Sequence, residues 1–246
     1  MSESLRRSLR VIDALADEPA TATQVAAMTG VSLSTAVRLL QVLHQEGFAR
    51  RDSAGRYGTG TRLLSIAHRA VAAMDVRQAA APVLRRLNRD TGQTVHLGYF
   101  DSPTVVYLDK YDGTAPVQMY SRIGLAAPLH CTAMGKVLAA HLPEEERAHL
   151  AGTLDYPRFT DRTVGSAEEY LRELAEIRER GYALNLGEHE TVISAVAVAL
   201  VRPDGRVEHG VDLAVPNVVV TDDDLLALVP RVVQAAREIE ALLGYR

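Results

Sequence analysis

Cysteine and long hydrophobic runs are scarce in this chain. A single cysteine, Cys131, among 246 residues excludes an internal disulfide framework and a zinc site built from cysteines. No apolar stretch approaches the ~20 residues that span a bilayer. The N-terminal segment MSESLRRSLRVID also lacks the continuous apolar core of a signal peptide. We therefore expect a cytoplasmic protein with no membrane partner and no cofactor.

An excess of basic charge, common in nucleic-acid-binding chains, is also missing, because the net charge is −4. Residues 1–60 hold seven arginines and six acidic residues, whereas residues 61–246 hold 20 basic and 25 acidic residues. The only cations of the first segment are arginines, whose planar guanidinium suits contacts with phosphate and guanine. Charge therefore permits DNA binding by a small N-terminal module and disfavours it for the remainder.

The segment Thr23–Phe48 predicts two short helices joined by a tight turn. Gly30 stands where the backbone needs positive φ, and Ser32 is a suitable N-cap for the second helix. That helix has an apolar stripe at helical spacing, formed by Val37, Leu40 and Leu43. Its polar side offers hydrogen bonds to phosphates and bases through Ser32, Ser34, Thr35, Arg38 and Gln41. The pattern predicts a helix-turn-helix that binds the DNA major groove, although similar helix pairs also occur in all-helical cores.

A short hairpin is predicted directly after this helix pair. Two extended segments, 48–51 and 56–58, flank the turn-rich residues 52–55. A hairpin at this place is typical of a wing, and its arginines are placed to bind phosphates beside the groove: Arg50, Arg51 and Arg56. The helix predicted over Thr61–Met74 has broad apolar coverage, so we expect it to connect two domains and to dimerise.

The rest of the chain predicts an α+β domain. Apolar periodicity of two begins at Thr94, and strands are expected over 95–100, 105–111, 117–120, 193–201 and 207–215. Helices are expected over 79–91, 132–141, 143–150, 167–180 and 221–243. We therefore predict three regions: a winged helix-turn-helix domain (1–60), a linker and dimerisation helix (61–78) and an α+β domain (79–246).

The chain resembles the IclR family of bacterial transcriptional regulators over essentially its whole length. The resemblance rests on SLRRSLRVIDALAD, TQVAAMTGVSLSTAVRLLQVLHQEGFARRD and GRYGTGTRLLSIA, and further on APLHCTAMGKVLAAHLP, RGYALNLGEHE and AVAVALVRPDGRV. It implies a winged helix-turn-helix joined to a GAF-like α+β effector domain. It also implies a homodimer or homotetramer that binds double-stranded operator DNA, acts as a repressor and responds to a small organic acid.

The turn 129–136 is the candidate ligand site. Small residues open a helix there, and the free amides of a helix N-terminus favour an anion such as a carboxylate. The resemblance implies that this turn forms one wall of the effector pocket, with Leu129, Thr132, Ala133 and Met134. The resemblance implies that the opposite wall contains Asn185, Ile193 and Ala195. Aromatic and sulfur-bearing residues on predicted strands, including Tyr99, Tyr107, Met119 and Tyr120, favour a flat acid such as an aromatic carboxylate.

The alternative is an enzyme, a small-molecule hydrolase that uses Cys131 and His130 with an acidic partner from Glu188 or Glu190. Adjacent residues rarely meet as nucleophile and base, so we expect Cys131 to be a small buried apolar residue and His130 a structural hydrogen-bonding group. We expect Lys136 to lie on the surface, because its spacing from the preceding glycines does not match a phosphate-binding loop. The segment 188–190 is expected to form a solvated turn.

Overall fold

The computed structural model describes residues 3–72, 75–101, 103–116, 119 and 121–245. The chain forms two compact units, Met1–Ala73 and Met74–Arg246, so the range 61–78 is divided between them. Among the described residues no single helix is long and apolar enough to cross a membrane. The helices Ala22–Thr29 and Leu33–Gln45 are long and apolar enough only when they are counted together, and this pair is bent by 111°.

The first unit contains four helices and one hairpin within its described residues. They are α1 (Glu3–Asp13), α2 (Ala22–Thr29), α3 (Leu33–Gln45), β1 (Ala49–Arg51), β2 (Tyr57–Thr59) and α4 (Thr61–Ala72). The antiparallel pairing of β1 with β2 confirms the predicted hairpin after the helix pair. The predicted end of the connecting helix at Met74 lies outside the described residues.

Local sequence signals define the helix-turn-helix. Thr21 and Gln24 form a capping box at the start of α2, and Gly30 ends that helix with a φ of 68°. Ser32 caps α3 by accepting a hydrogen bond from the backbone N–H of Thr35. The buried side of α3 consists of Ala36, Leu40 and Leu43, which pack toward the core of this unit. The predicted turn and cap are therefore confirmed.

The second unit is an α+β domain, as predicted. Its elements are α5 (Asp75–Thr91), β3 (Thr94–Asp101), β4 (Thr104–Tyr111), β5 (Ala126–Ala127), α6 (Ala133–Ala140), α7 (Glu144–Thr153), α8 (Ala167–Arg180), β6 (Ala183–Leu186), β7 (Ile193–Val201), β8 (Val207–Pro216) and α9 (Asp222–Leu242). Strands in the order β5-β4-β3-β8-β7-β6 form one antiparallel sheet. The strand predicted over 117–120 falls largely outside the described residues. Sequence reasoning did not identify β6.

The two faces of this sheet carry side chains of different size. On β7, the residues that point to one face are bulky (Val196, Val198 and Leu200) and pack with α5 and α9. The residues that point to the other face are small (Ala195, Ala197 and Ala199), and this face packs with α6, which in turn contacts α8. We call these the bulky face and the small-residue face.

Helix α6 lies close to the small-residue face because two glycines make room for it. A Cβ at Gly98 of β3 would lie 2.5 Å from the Met134 sulfur, and one at Gly210 of β8 would lie 2.9 Å from it. Within α6, a Cβ at Gly135 would lie 2.6 Å from the Cα of Leu129. These glycines therefore position the start of α6 against both the sheet and the preceding turn.

Candidate functional site

The polar side of α3 is available to solvent. Ser32, Ser34, Arg38 and Gln41 are exposed, and Thr35 is half-buried. The Ser32 hydroxyl oxygen lies 2.8 Å from the hydroxyl oxygen of Thr35 and 3.1 Å from that of Ser34. These three hydroxyls form one cluster at the start of α3, where Ser32 also serves as the cap. Arg38 and Gln41 are three residues apart and so lie on one side of the helix.

The wing arginines are oriented differently from one another. Strand alternation places Arg50 and Arg51 on opposite faces of the hairpin. The Arg51 guanidinium lies 5.4 Å from the centre of the Tyr57 ring. The Arg56 side chain donates a 2.9 Å hydrogen bond to Asp52, whose pKa is lowered mainly by the backbone N–H of Arg56. The three arginines therefore do not form a single patch, and Arg56 is partly neutralised.

The second unit contains a cavity of about 210 Å³ above the small-residue face. Its walls come from all six strands of the sheet, from the start of α6 and from the loops that follow β4, β5, β6 and α7. Six of the nine residues expected at the ligand site line it: Met119, Thr132, Ala133, Asn185, Ile193 and Ala195. Tyr107 lines it too, whereas Tyr120 lies outside the described residues.

Three expected site residues lie elsewhere. Tyr99 alternates with the residues that point into the cavity, so it lies on the bulky face, with its ring centre 5.1 Å from that of His209. Met134 is fully buried and fills the space above Gly98 rather than the cavity. Leu129 is buried in the turn before α6, where its carbonyl accepts a hydrogen bond from Tyr170. Their expected placement in the pocket wall is therefore wrong.

Sequence reasoning missed a buried polar group in the cavity wall. His96 and Asp212 are directly paired across β3 and β8, and His96 Nδ1 lies 2.5 Å from Asp212 Oδ1. His96 Nε2 lies 2.8 Å from the Ser121 hydroxyl oxygen. Burial, with the nearby Asp212 charge, raises the pKa of Tyr107 well above its usual value. The sequence did contain one signal for this group, because the charged residue Asp212 stands between the apolar residues Val211 and Leu213 of a strand.

The start of α6 presents unsatisfied backbone donors beside this cavity. The Thr132 hydroxyl accepts a 3.1 Å hydrogen bond from Gly135 N–H and donates a 2.6 Å bond to the Pro128 carbonyl. The N–H groups of Ala133 and Met134 have no acceptor among the described residues. Two free donors at the positive end of a helix dipole can bind a carboxylate.

Lys136 is buried, contrary to the expected surface position. Its ammonium lies 2.6 Å from both carboxylate oxygens of Glu188 and 2.7 Å from Glu173 Oε1. Burial raises the pKa of Glu188, and the Lys136 charge opposes that shift. Glu188 is therefore part of a buried ion cluster rather than a solvated turn. The cluster ties α6 to the loop whose next two residues, His189 and Glu190, line the cavity.

The proposed cysteine–histidine dyad has no support in the geometry. Cys131 is fully buried, and burial raises the pKa of its thiol to about 12, so it carries no thiolate near neutral pH. His130 Nε2 lies 3.1 Å from the Pro157 carbonyl oxygen. Both expectations are confirmed, since Cys131 is a small buried residue and His130 is a structural hydrogen-bonding group.

A helix-turn-helix with a wing, followed by an α+β unit with a ligand-sized cavity, defines a class: DNA-binding regulators that carry an effector domain. Residues 4–53 match the model of the IclR helix-turn-helix domain, and residues 68–241 match that of the bacterial transcriptional regulator IclR C-terminal domain. The chain belongs to the IclR family of bacterial transcriptional regulators.

Individual relatives agree with this assignment over the full length. The chain is 36% identical to the regulator XynR of Escherichia coli K12, with 99% of this chain and 98% of XynR aligned. It superposes on the Thermotoga maritima IclR structure with a TM-score of 0.78, at 28% identity and 98% coverage of both chains. An IclR homologue from Microbacterium hydrocarbonoxydans, complexed with 4-hydroxybenzoate, gives 0.86 at 25% identity, with 99% and 100% coverage. XynR and the matched C-terminal family model are both named as transcriptional regulators, and the chain is a regulator rather than an enzyme.

Proposed function

We propose that this chain is a repressor whose affinity for operator DNA changes when a small organic acid binds in the 210 Å³ cavity. The observation that carries the proposal is the start of α6, where Thr132 and Ala133 line the cavity and the N–H groups of Ala133 and Met134 have no acceptor among the described residues. They supply a carboxylate site without a charged side chain. Binding to one state of the protein more tightly than to another then changes DNA affinity, and bound DNA changes ligand affinity by the same factor.

The effector that we propose is a compact acid, of which an aromatic carboxylate is one example. The Microbacterium homologue of similar fold binds 4-hydroxybenzoate. In this chain, the rings of Tyr107 and Phe159 and the side chains of Met119 and Ile193 provide apolar walls for a flat molecule. A cavity of this volume accommodates one such ligand.

On the DNA side, we propose that a homodimer or homotetramer places paired α3 helices in successive major grooves of a pseudo-palindromic operator. Ser34, Thr35, Arg38 and Gln41 would contact the bases and nearby phosphates. Because Arg50 and Arg51 point in opposite directions, only one of them would bind the phosphates beside a given groove.

The DNA assignment is tested with Arg38→Ala. This change removes a base-contacting guanidinium, so operator affinity should fall by about 10- to 100-fold. The measurement is a gel-shift titration, at fixed salt, on DNA from upstream of the chain's own gene. Arg172→Ala, which removes an exposed arginine from α8 of the other unit, is the matched control and should bind normally. Unchanged affinity of the Arg38 variant would contradict the groove assignment.

The effector assignment is tested with Ala133→Trp. The indole would occupy the space beside the two free N–H groups, so added acid should no longer shift operator affinity. The same gel-shift titration, repeated with 4-hydroxybenzoate and with other compact acids, gives the response of the native chain and of the variant. DNA affinity without ligand should be retained. A variant that still responds would place the effector site elsewhere.

A further inference from the structure

We propose that His96, Asp212 and Ser121 form a hydroxyl-recognition subsite, so that the effector is a hydroxylated acid whose hydroxyl lies away from its carboxylate. This inference rests on the proposed function, because it assumes that an acid occupies the cavity. The free amides of α6 specify only the carboxylate end of the ligand, whereas this subsite specifies a hydroxyl at the opposite end.

The three side chains form a preorganised group. His96 and Asp212 are 2% and 3% exposed, and both line the cavity. Their 2.5 Å contact and the 2.8 Å contact of His96 with Ser121 hold the imidazole by both ring nitrogens. Direct pairing of His96 with Asp212 across two strands also limits their movement. These contacts hold the polar atoms in fixed positions at the cavity wall.

The remaining hydrogen-bonding capacity of this group is mainly that of an acceptor. Asp212 uses Oδ1 for His96, and its Oδ2 bonds no group in the described part of the chain. The Ser121 hydroxyl has one contact, with His96, and can make another. A carboxylate oxygen that faces a cavity needs a donor, and a ligand hydroxyl supplies one.

The charge of Asp212 also determines the orientation of the ligand. A second anion beside Asp212 would be repelled in a partly desolvated cavity, so a ligand carboxylate cannot lie there. The same carboxylate is attracted to the N–H groups of Ala133 and Met134 at the start of α6. The two ends of the ligand are thus distinguished: the acid end binds α6, and the neutral hydroxyl end binds Asp212.

A purely structural role is the competing explanation. A buried histidine–aspartate pair can simply hold β3 and β8 together, in which case it would affect stability without regard to ligand chemistry. The two explanations differ in one observable, which is the preference among ligands that differ only at the end opposite the carboxylate.

The test uses two matched series of acids and the full-length chain. The aromatic series is 4-hydroxybenzoate, benzoate and terephthalate, and the aliphatic series is 6-hydroxyhexanoate, hexanoate and adipate. Calorimetric titration should show that, in at least one series, the hydroxy acid binds ~10-fold more tightly than the unsubstituted acid, because it pairs a buried acceptor. The dicarboxylate of that series should bind most weakly.

Variants then assign the preference to the subsite. Asp212→Asn keeps the shape and an acceptor oxygen for His96 but removes the charge, so the penalty on the dicarboxylate should disappear. Ser121→Ala should reduce the preference for the hydroxyl by about 3-fold or more. Tyr99→Phe is the matched control, because it removes a hydroxyl from the bulky face of the same strand as His96 and should leave all preferences unchanged.

Each result has one meaning. If hydroxy and unsubstituted acids bind equally while a carboxylate is still required, the subsite is wrong and the proposed function stands. If no acid of either series binds, both proposals are overturned. If Asp212→Asn does not fold, Ser121→Ala decides, and an unchanged hydroxyl preference in that variant overturns the subsite.

Discussion

The two faces of the six-stranded sheet show how one backbone can provide both stability and a binding site. On β8, Val211, Leu213 and Val215 point to the bulky face, and all three are fully buried against neighbouring elements. The residues between them, such as Asp212 and Ala214, point to the other face and line the cavity. Because side chains alternate along a strand, each face is specified by every second residue.

Packing also differs between the two faces. On the bulky face, aliphatic side chains of the sheet meet those of α5 and α9. On the small-residue face, α6 approaches so closely that Met134 occupies the space above Gly98 and Gly210. Close contact at this one place leaves room beside it, where Ala195 and Ala214 line the cavity rather than fill it. The difference implies that substitutions on the two faces have different consequences.

The largest expected effect is on the bulky face. Leu213→Ala removes a fully buried side chain, so the free energy of unfolding should fall by about 2–5 kcal/mol through lost apolar burial and a new cavity. Equilibrium denaturation followed by circular dichroism measures the loss. Ala214→Ser, one residue further along the strand, is the control and should cost less than about 1 kcal/mol. Equal losses would remove the distinction between the two faces.

A smaller effect, which depends on pH, is expected at His209 on the bulky face. Burial lowers the pKa of His209 to about 4, from an ordinary value of 6.5, so the unfolded chain binds its proton more readily than the folded chain. Between these two pH values, the free energy of unfolding therefore rises with pH. This gain in stability disappears again as the pH falls. After allowance for partial exposure, the contribution is about 1–2 kcal/mol.

The variant His209→Asn isolates this contribution, since asparagine does not titrate. The native chain should gain more stability than the variant between pH 4 and pH 7, by about 1–2 kcal/mol. Thermal or denaturant unfolding at several pH values gives both curves. Parallel curves would show that His209 is protonated equally in the folded and unfolded chains, and hence that its side of the sheet is open to water.

Much of the fold was predictable because its signals are local. The bounds of α8 and β7 match the expected ranges 167–180 and 193–201, and the cap at Ser32 and the turn at Gly30 follow from residue type. Strand alternation also places Tyr99 and His96 on opposite faces, so the misplacement of Tyr99 was avoidable.

The missed parts of the site depend on contacts between distant segments. Lys136 meets Glu188 52 residues later in the chain, and His96 meets Asp212 116 residues later. Neither sequence separation matches a known motif, because the partners come together only when the sheet and α6 have formed. The pairing of such buried polar groups becomes visible only in three dimensions.

The smallest expected effect on stability is on the small-residue face. Ala195→Leu adds three carbon atoms toward a cavity of about 210 Å³, so the new side chain has space and the free energy of unfolding should change by less than about 1 kcal/mol. If the space exists for an effector, the same change should abolish the response of operator binding to acid. Denaturation and gel-shift titration of one preparation measure both quantities. A loss as large as that of Leu213→Ala would mean that the alanines of β7 serve close packing, and the cavity would then be a by-product of helix placement rather than a binding site.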